Sequence, residues 1–157
     1  MNKILIFRNL LFLLALTFIV SCSKKTDEVT PSLLTGKWKQ NGVTGKVSYT
    51  EQGKTISNDI NEAADNTIIE FKADGTGTLE GDAITYKTSG SILTVFLGTQ
   101  SIEFTSRVNG NNLVLGFTKD QFFKFIDLLG DPTDPDVIAL KKLSFTEFTY
   151  NINYVKQ

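Results

Sequence analysis

Few side chains in this chain are equipped for chemistry. Histidine is absent and cysteine occurs once, as Cys22. Without histidine there is no imidazole base, no Ser-His-Asp or Cys-His arrangement, and little to hold zinc or iron. Carboxylates, Lys, Tyr or Ser-Lys pairs remain as catalytic options. Glu70, Glu80 and Glu103 fall in segments of alternating polarity, and glycosidase chemistry would need two such groups facing across one cleft. Alternation places strand carboxylates on the wet face, so no catalytic residue is assigned and the chain is read as a non-enzyme. Asp131, Asp134 and Asp136 crowd the loop Gly-Asp-Pro-Thr-Asp-Pro-Asp. Calcium takes about six to eight oxygens, but the spacing is not that of an EF-hand and its closing bidentate Glu is missing. Asp-Pro is ordinary turn chemistry, so the loop is read as solvated, with no metal. No glycine loop that could cradle a phosphate precedes a helix, and no cofactor is implied.

That leaves the Cys22 thiol, whose neighbours say what it would react with. Lys3 and Arg8 make a cationic start, and Leu10 to Val20 is apolar apart from Thr17. A run of about eleven residues is a signal-peptide core, well short of the ~20 that span a bilayer. Ile19-Val20-Ser21-Cys22 then resembles the lipobox of bacterial lipoproteins: a branched apolar residue, a tolerant position, a small residue, then Cys. The resemblance implies cleavage between Ser21 and Cys22, a diacylglyceryl thioether on the Cys22 sulfur, and acylation (palmitate-type chains) of the new amino group. Cysteine suits the role because a thiolate can accept the lipid. Acyl chains at ~0.8 kcal/mol per buried methylene would hold the protein on a membrane. An ordinary secretory signal with an incidental Cys, or an uncleaved anchor, are the competing readings. Ser23 rather than Asp after the Cys implies, within that family, transport to the outer membrane. Lys24-Lys25-Thr26-Asp27-Glu28 resembles the charged tract some Gram-negative groups use to expose lipoproteins at the cell surface; a plain hydrophilic tether explains it equally well.

The expected organisation is therefore a signal peptide at 1–21, a lipidated Cys and tether at 22–31, and one domain at 32–157. Removing the leader leaves 136 of the 157 residues, enough for a single core. Lys3 and Arg8 leave with it, so 14 basic residues face 17 acidic ones, a net charge of −3. Mild acidity without a basic cluster argues against nucleic acid. With its one Cys lipidated, the domain would have no disulfide, and stability must come from packing.

The segments that follow read mainly as strands. Turn dipeptides at Asp74-Gly75, Gly81-Asp82, Ser89-Gly90, Gly98-Thr99 and Asn109-Gly110 recur at the spacing of an antiparallel meander. Between them lie Ile68–Lys72, Thr76–Glu80, Ala83–Lys87, Ser91–Leu97, Ser101–Val108 and Leu113–Phe117, rich in Thr, Ile, Val and Phe. Upstream, Val47 and Tyr49 suggest a strand turning at Gln52-Gly53 with Ile56 returning, and Asn58 to Ala64 reads as a short helix. A firmer helix follows Thr118, which forms a capping box with Gln121; Phe117 and Phe122 are placed as its hydrophobic staple. Phe122, Phe125, Ile126 and Leu129 recur on one face, Gly130 supplies the stop, and Pro132 prevents continuation. Val137–Leu143 and Glu147–Val155 are expected to complete the sheet as its last two strands.

Ser32-Leu33-Leu34-Thr35 leads into Gly36-Lys37-Trp38. Gly-x-Trp before a first strand resembles the opening signature of lipocalins and of lipocalin-like domains on bacterial lipoproteins. The resemblance implies a 3₁₀ turn at Leu33-Leu34 and Trp38 closing one end of a barrel; a lone core Trp beside a turn glycine is the competing reading. The expected fold is thus mainly β, a lipocalin-like antiparallel meander barrel with one inserted amphipathic helix, and a β-sandwich is the alternative. Twelve Phe, four Tyr and one Trp could line a calyx for a small apolar ligand, with Trp38, Phe96, Phe104 and Tyr150 as candidate contacts. The competing reading is that they fill a solid interior, since barrels of about eight strands are only just wide enough to be packed. Two functions follow: a lipid-anchored barrel binding a small hydrophobic ligand at the envelope, or a surface module binding a partner protein or glycan through its outer face. The expected location is the bacterial outer membrane, on its periplasmic or its cell-surface face.

Overall fold

The computed structural model describes residues 29–129 and 133–157. The leader, Cys22, most of the tether, Gly130, Asp131 and Pro132 lie outside the described residues. A short helix α1 (Pro31–Leu34) precedes β1 (Gly36–Glu51), β2 (Lys54–Glu62), β3 (Ile68–Phe71), β4 (Thr76–Leu79), β5 (Asp82–Ser89), β6 (Ile92–Leu97), β7 (Gln100–Asn109) and β8 (Asn112–Phe117). Helices α2 (Lys119–Leu129) and α3 (Pro135–Lys141) separate β8 from β9 (Ser144–Lys156).

From β3 to β9 each strand pairs antiparallel with the next, and β1 pairs with both β3 and β9. The ring of eight is closed: this is a lipocalin-like meander barrel. A sandwich would leave its two sheets with separate edges, which the pairing of β1 with β9 rules out.

Period-two alternation puts the core inside. On β7, Ile102, Phe104 and Ser106 are buried while Glu103 and Arg107 are exposed. Trp38, Phe71, Leu93, Val95, Leu113 and Leu115 meet within the ring, almost without solvent contact. One end is plugged. Trp38 Nε1 donates to the Leu34 carbonyl at 2.6 Å, so α1 folds under the barrel and the indole closes it. The Lys156 ammonium lies 5.2 Å from the Trp38 ring. Val29 is also buried, and its amide donates to the Gly90 carbonyl at 3.0 Å. The packed body therefore reaches back into the stretch expected to be tether.

Two expectations are corrected. Asn58–Ala64 is not helical: Lys54–Glu62 is strand β2, because Ile56 and Ile60 alternate opposite Tyr49 and Gly45 of β1. Pairing along a long neighbour overrides weak local helix propensity. Val137–Leu143 is not a strand, and only one strand follows α2 rather than two. Asp134 caps α3 by accepting the Asp136 amide at 2.8 Å, and Pro135 occupies the first helical turn. The Asp-Pro-Asp run read as a turn is a helix start. A strand there would have no partner, since β8 already pairs with β9.

Candidate functional site

β1 is longer than the barrel needs. Its first residues, Gly36 to Lys39, pair with β3, and a bulge at Gln40–Gly42 then carries the strand past the wall. From Val43 to Glu51 the edge is taken by β2, joined through Gln52-Gly53. Both turn residues have positive φ, 49° and 76°, as a type I′ hairpin requires. With the first half of β9 on the other side, β2, β1 and β9 form a three-stranded ribbon beyond the barrel. Gly45 lets the ribbon curve: a Cβ there would run into the Thr149 carbonyl.

Register sorts the ribbon into two faces. Tyr49 lies between Ile56 and Phe145, Val47 between Asn58 and Phe148, and Gly45 between Ile60 and Tyr150. A bulge between Ser48 and Tyr49 leaves Phe145 and Phe148 on the same side, with ring centroids 5.7 Å apart. The opposite face is polar, with Ser48 between Ser57 and Glu147 and Lys46 between Asp59 and Thr149. The Ser48 hydroxyl is 2.8 Å from Ser57 Oγ and donates to Glu147 at 3.2 Å. Lys46 reaches the same carboxylate at 2.9 Å. That bond holds Glu147 below its ordinary pKa and Lys46 above its own.

Helix α2 lies across the mouth of the barrel, packing on β7, β8 and β9. Its start is the expected capping box: the Thr118 amide donates to Gln121 Oε1 at 2.9 Å, and the Gln121 amide to Thr118 Oγ1 at 3.3 Å. The staple also forms, with Phe117 and Phe122 centroids 6.1 Å apart. From there aromatic contacts run outward. Phe104 meets Phe117 at 4.8 Å inside the barrel, and Phe117 meets Phe125 at 5.2 Å. Phe122 meets Tyr150 at 5.0 Å and Phe148 at 5.2 Å. Phe145 then touches Phe123 at 6.0 Å and Tyr49 at 6.2 Å. One continuous aromatic run thus joins the core to the half-exposed ribbon.

The four candidate ligand contacts do not share one cavity. Trp38 is locked at the plugged end. Phe104 is part of the packed interior, and Tyr150 is half-buried under α2. Burial pushes the Tyr150 phenol pKa up, helped by the charges of Glu62 and Asp65. Phe96 is corrected as a calyx residue: Leu93 and Val95 take the inward positions of β6, and Phe96 faces outward beneath the Lys87 ammonium, 5.7 Å away. Near α2 lies a cleft of about 150 Å³ lined by Ser101, Ile102, Glu103, Gln121, Lys124 and Phe125. It is smaller than the ~300 Å³ and upward typical of small-molecule sites.

The carboxylates are scattered. Glu70 lies 3.9 Å from Lys37, Glu80 accepts from the Thr67 hydroxyl at 3.2 Å, and Glu103 is exposed at the rim of the cleft. Among the described residues no cluster of His, Cys, Asp or Glu is arranged to hold a metal, and no helix is long and apolar enough to cross a membrane. The two-faced ribbon was half legible, since the hairpin at Gln52-Gly53 is readable from sequence. Its union with β9 and α2 is not, because β9 is about 100 residues away and α2 about 70. None of the family models, curated proteins or solved structures compared with the chain matches it.

Proposed function

We propose that this protein is an outer-membrane lipoprotein, anchored by acyl chains on Cys22, whose barrel is a solid spacer presenting an aromatic ribbon to a partner in the envelope. The observation that carries this reading is the placement of the aromatics. Inside the ring they pack against one another and against Leu93, Leu113 and Leu115, whereas Tyr49, Phe145 and Phe148 are left half-exposed on the ribbon. Aromatic patches of this kind are characteristic of interaction surfaces. The chain between Cys22 and Val29 can span at most about 25 Å, so the Trp38 end would sit nearest the lipid. Tyr49 lies about 36 Å further along β1, at ~3.3 Å per residue, and would face away from the membrane. A protein or glycan fits that position; a role as a catalyst or nucleic-acid binder has no comparable support.

A second reading keeps the small apolar ligand but moves it out of the barrel, to the aromatic mouth between α2 and the ribbon. Phe122, Phe123, Phe145 and Phe148 favour it, because their rings already stack there. Photo-crosslinking in cells separates the two. A photoreactive residue at Phe145, compared with one at Gly110 at the opposite end, should give a discrete higher-mass product if a macromolecule docks. A small molecule released on denaturation of the purified protein, with no such product, would favour the second reading. Products of equal yield from both positions would overturn both. For the anchor, Cys22→Ser should move the protein out of the membrane fraction.

A further inference from the structure

β2 leaves an open edge. It is hydrogen-bonded to β1 on one side, and no strand among the described residues lies on the other. Its residues are exposed except for Ile56 and Ile60, which are half-buried. A long free edge invites further pairing, which proteins normally discourage with charge. Here the charges sit at the ends, Lys54 and Glu62, with Asp59 between.

We propose that this edge pairs antiparallel with the β2 edge of a second copy of the chain, about a two-fold axis through Asn58. Such an interface is isologous, so each residue meets the one placed symmetrically about the axis. In that register Lys54 faces Glu62, Ile56 faces Ile60, and Asn58 faces itself. Thr55 meets Asn61 and Ser57 meets Asp59 on the other side of the sheet. Opposite charges meet at both ends and the isoleucines pair on the apolar face, each a favourable cross-strand contact. Neighbouring registers fail. Sliding by two residues one way brings Asp59 against Asp59 and Ile56 against Glu62; sliding the other way puts Lys54 against Ile60. Both shifts also shorten the overlap.

The backbone agrees. In a two-residue hairpin the closing pair, Glu51 and Lys54, exchanges both of its hydrogen bonds. Alternation then turns the amides and carbonyls of Thr55, Ser57, Asp59 and Asn61 toward the free edge. Those four residues oppose one another in the register centred on Asn58, so Lys54–Glu62, Ile56–Ile60 and Asn58–Asn58 become the closer, non-hydrogen-bonded pairs. The two ribbons would join into one six-stranded sheet with a continuous apolar face. This inference stands independently of the lipid anchor.

The test uses the full-length chain with Cys22→Ser, so that any introduced thiol is alone. Asn58→Cys should oxidise to a disulfide-linked dimer at least tenfold faster than Ser57→Cys, whose copies are not opposed. Without added thiols, K54E and E62K should each sediment as monomers where the parent is a dimer. Mixing the two should restore the dimer, because every end pair is again of opposite charge. Far-ultraviolet spectra matching the parent show that the variants are folded, and misfolded chains would not be rescued by mixing. A monomeric parent, equal oxidation at the two positions, linkage to a different protein, or no rescue on mixing would overturn the proposal.

Discussion

Around Trp38 the fold is closed: the indole is fully buried, its N–H is bonded to the Leu34 carbonyl, and it shares one buried cluster with Val29, Leu34 and Phe71. Around Tyr49 the same kind of ring is half-exposed, with Phe145 as its aromatic contact, on a ribbon whose outer edge carries no strand among the described residues. Both residues belong to one strand. What separates them is how many neighbours the fold supplies; the contrast locates tight packing at the plugged end, and the function proposed above assigns recognition to the open one. A region that must meet a partner has to leave apolar surface and backbone edges unsatisfied, at a cost to its own stability.

Equal truncations at the two ends should show the difference. Trp38→Ala removes a ring from a sealed site and should lower unfolding free energy by about 3–5 kcal/mol, read from urea midpoints. A loss below about 1 kcal/mol would mean that the plug is not what holds the barrel shut.

Alkaline unfolding should come next. Burial holds the Tyr154 phenol well above its ordinary range, with the charges of Asp65 and Glu80 adding to the shift. Tyr86 and Tyr150 move in the same direction, burial again leading. An unfolded tyrosine titrates near pH 10, so above about that pH the unfolded chain releases protons that the folded chain keeps. Stability should be complete below about pH 10 and fall as pH rises past it, and Tyr154→Phe should flatten the fall. Urea midpoints measured from about pH 9 to about pH 11 check this; a midpoint rising with pH would contradict it.

At the boundary between the two regions, Thr118→Ala removes half of the capping box and should cost about 1 kcal/mol. Hydrogen exchange should then quicken in α2 while the amides of β5 and β6 stay protected. The smallest effect belongs to the ribbon. Tyr49→Ala should cost less than about 1 kcal/mol, yet it should weaken whatever docks at Phe145. If it destabilised the protein as much as Trp38→Ala, the division between plugged and open ends would fail.

Much of the barrel was legible because its information is local. Dipeptides such as Asp74-Gly75 and Asn109-Gly110 mark turns, and Ile102, Phe104 and Ser106 alternate with Glu103 and Arg107. Thr118 and Gln121 lie three residues apart, so the helix start could be read without knowing the fold. The plugged end was expected only because Gly36-Lys37-Trp38 resembles the lipocalin opening. The segments misread were those whose state depends on distant partners. Asn58–Ala64 has no strong preference of its own, and its residues up to Glu62 became strand because β1 offered an edge. Val137–Leu143 has strand-like residues but no edge to join, and Asp134 capped it as a helix. Phe96 looked like any other strand aromatic; only the phase of β6 turned it outward.

By itself the sequence determined the meander, the capped helix and the scarcity of catalytic groups, since turn type, alternation and residue inventory act over a few neighbouring residues. Tertiary structure alone decided that the ring closes, that β1 outruns it, and that Tyr49, Phe145 and Phe148 share one face with Ile56 and Ile60. Those outcomes depend on strand register between residues about 100 positions apart. A shift of one residue there would exchange the two faces of the ribbon.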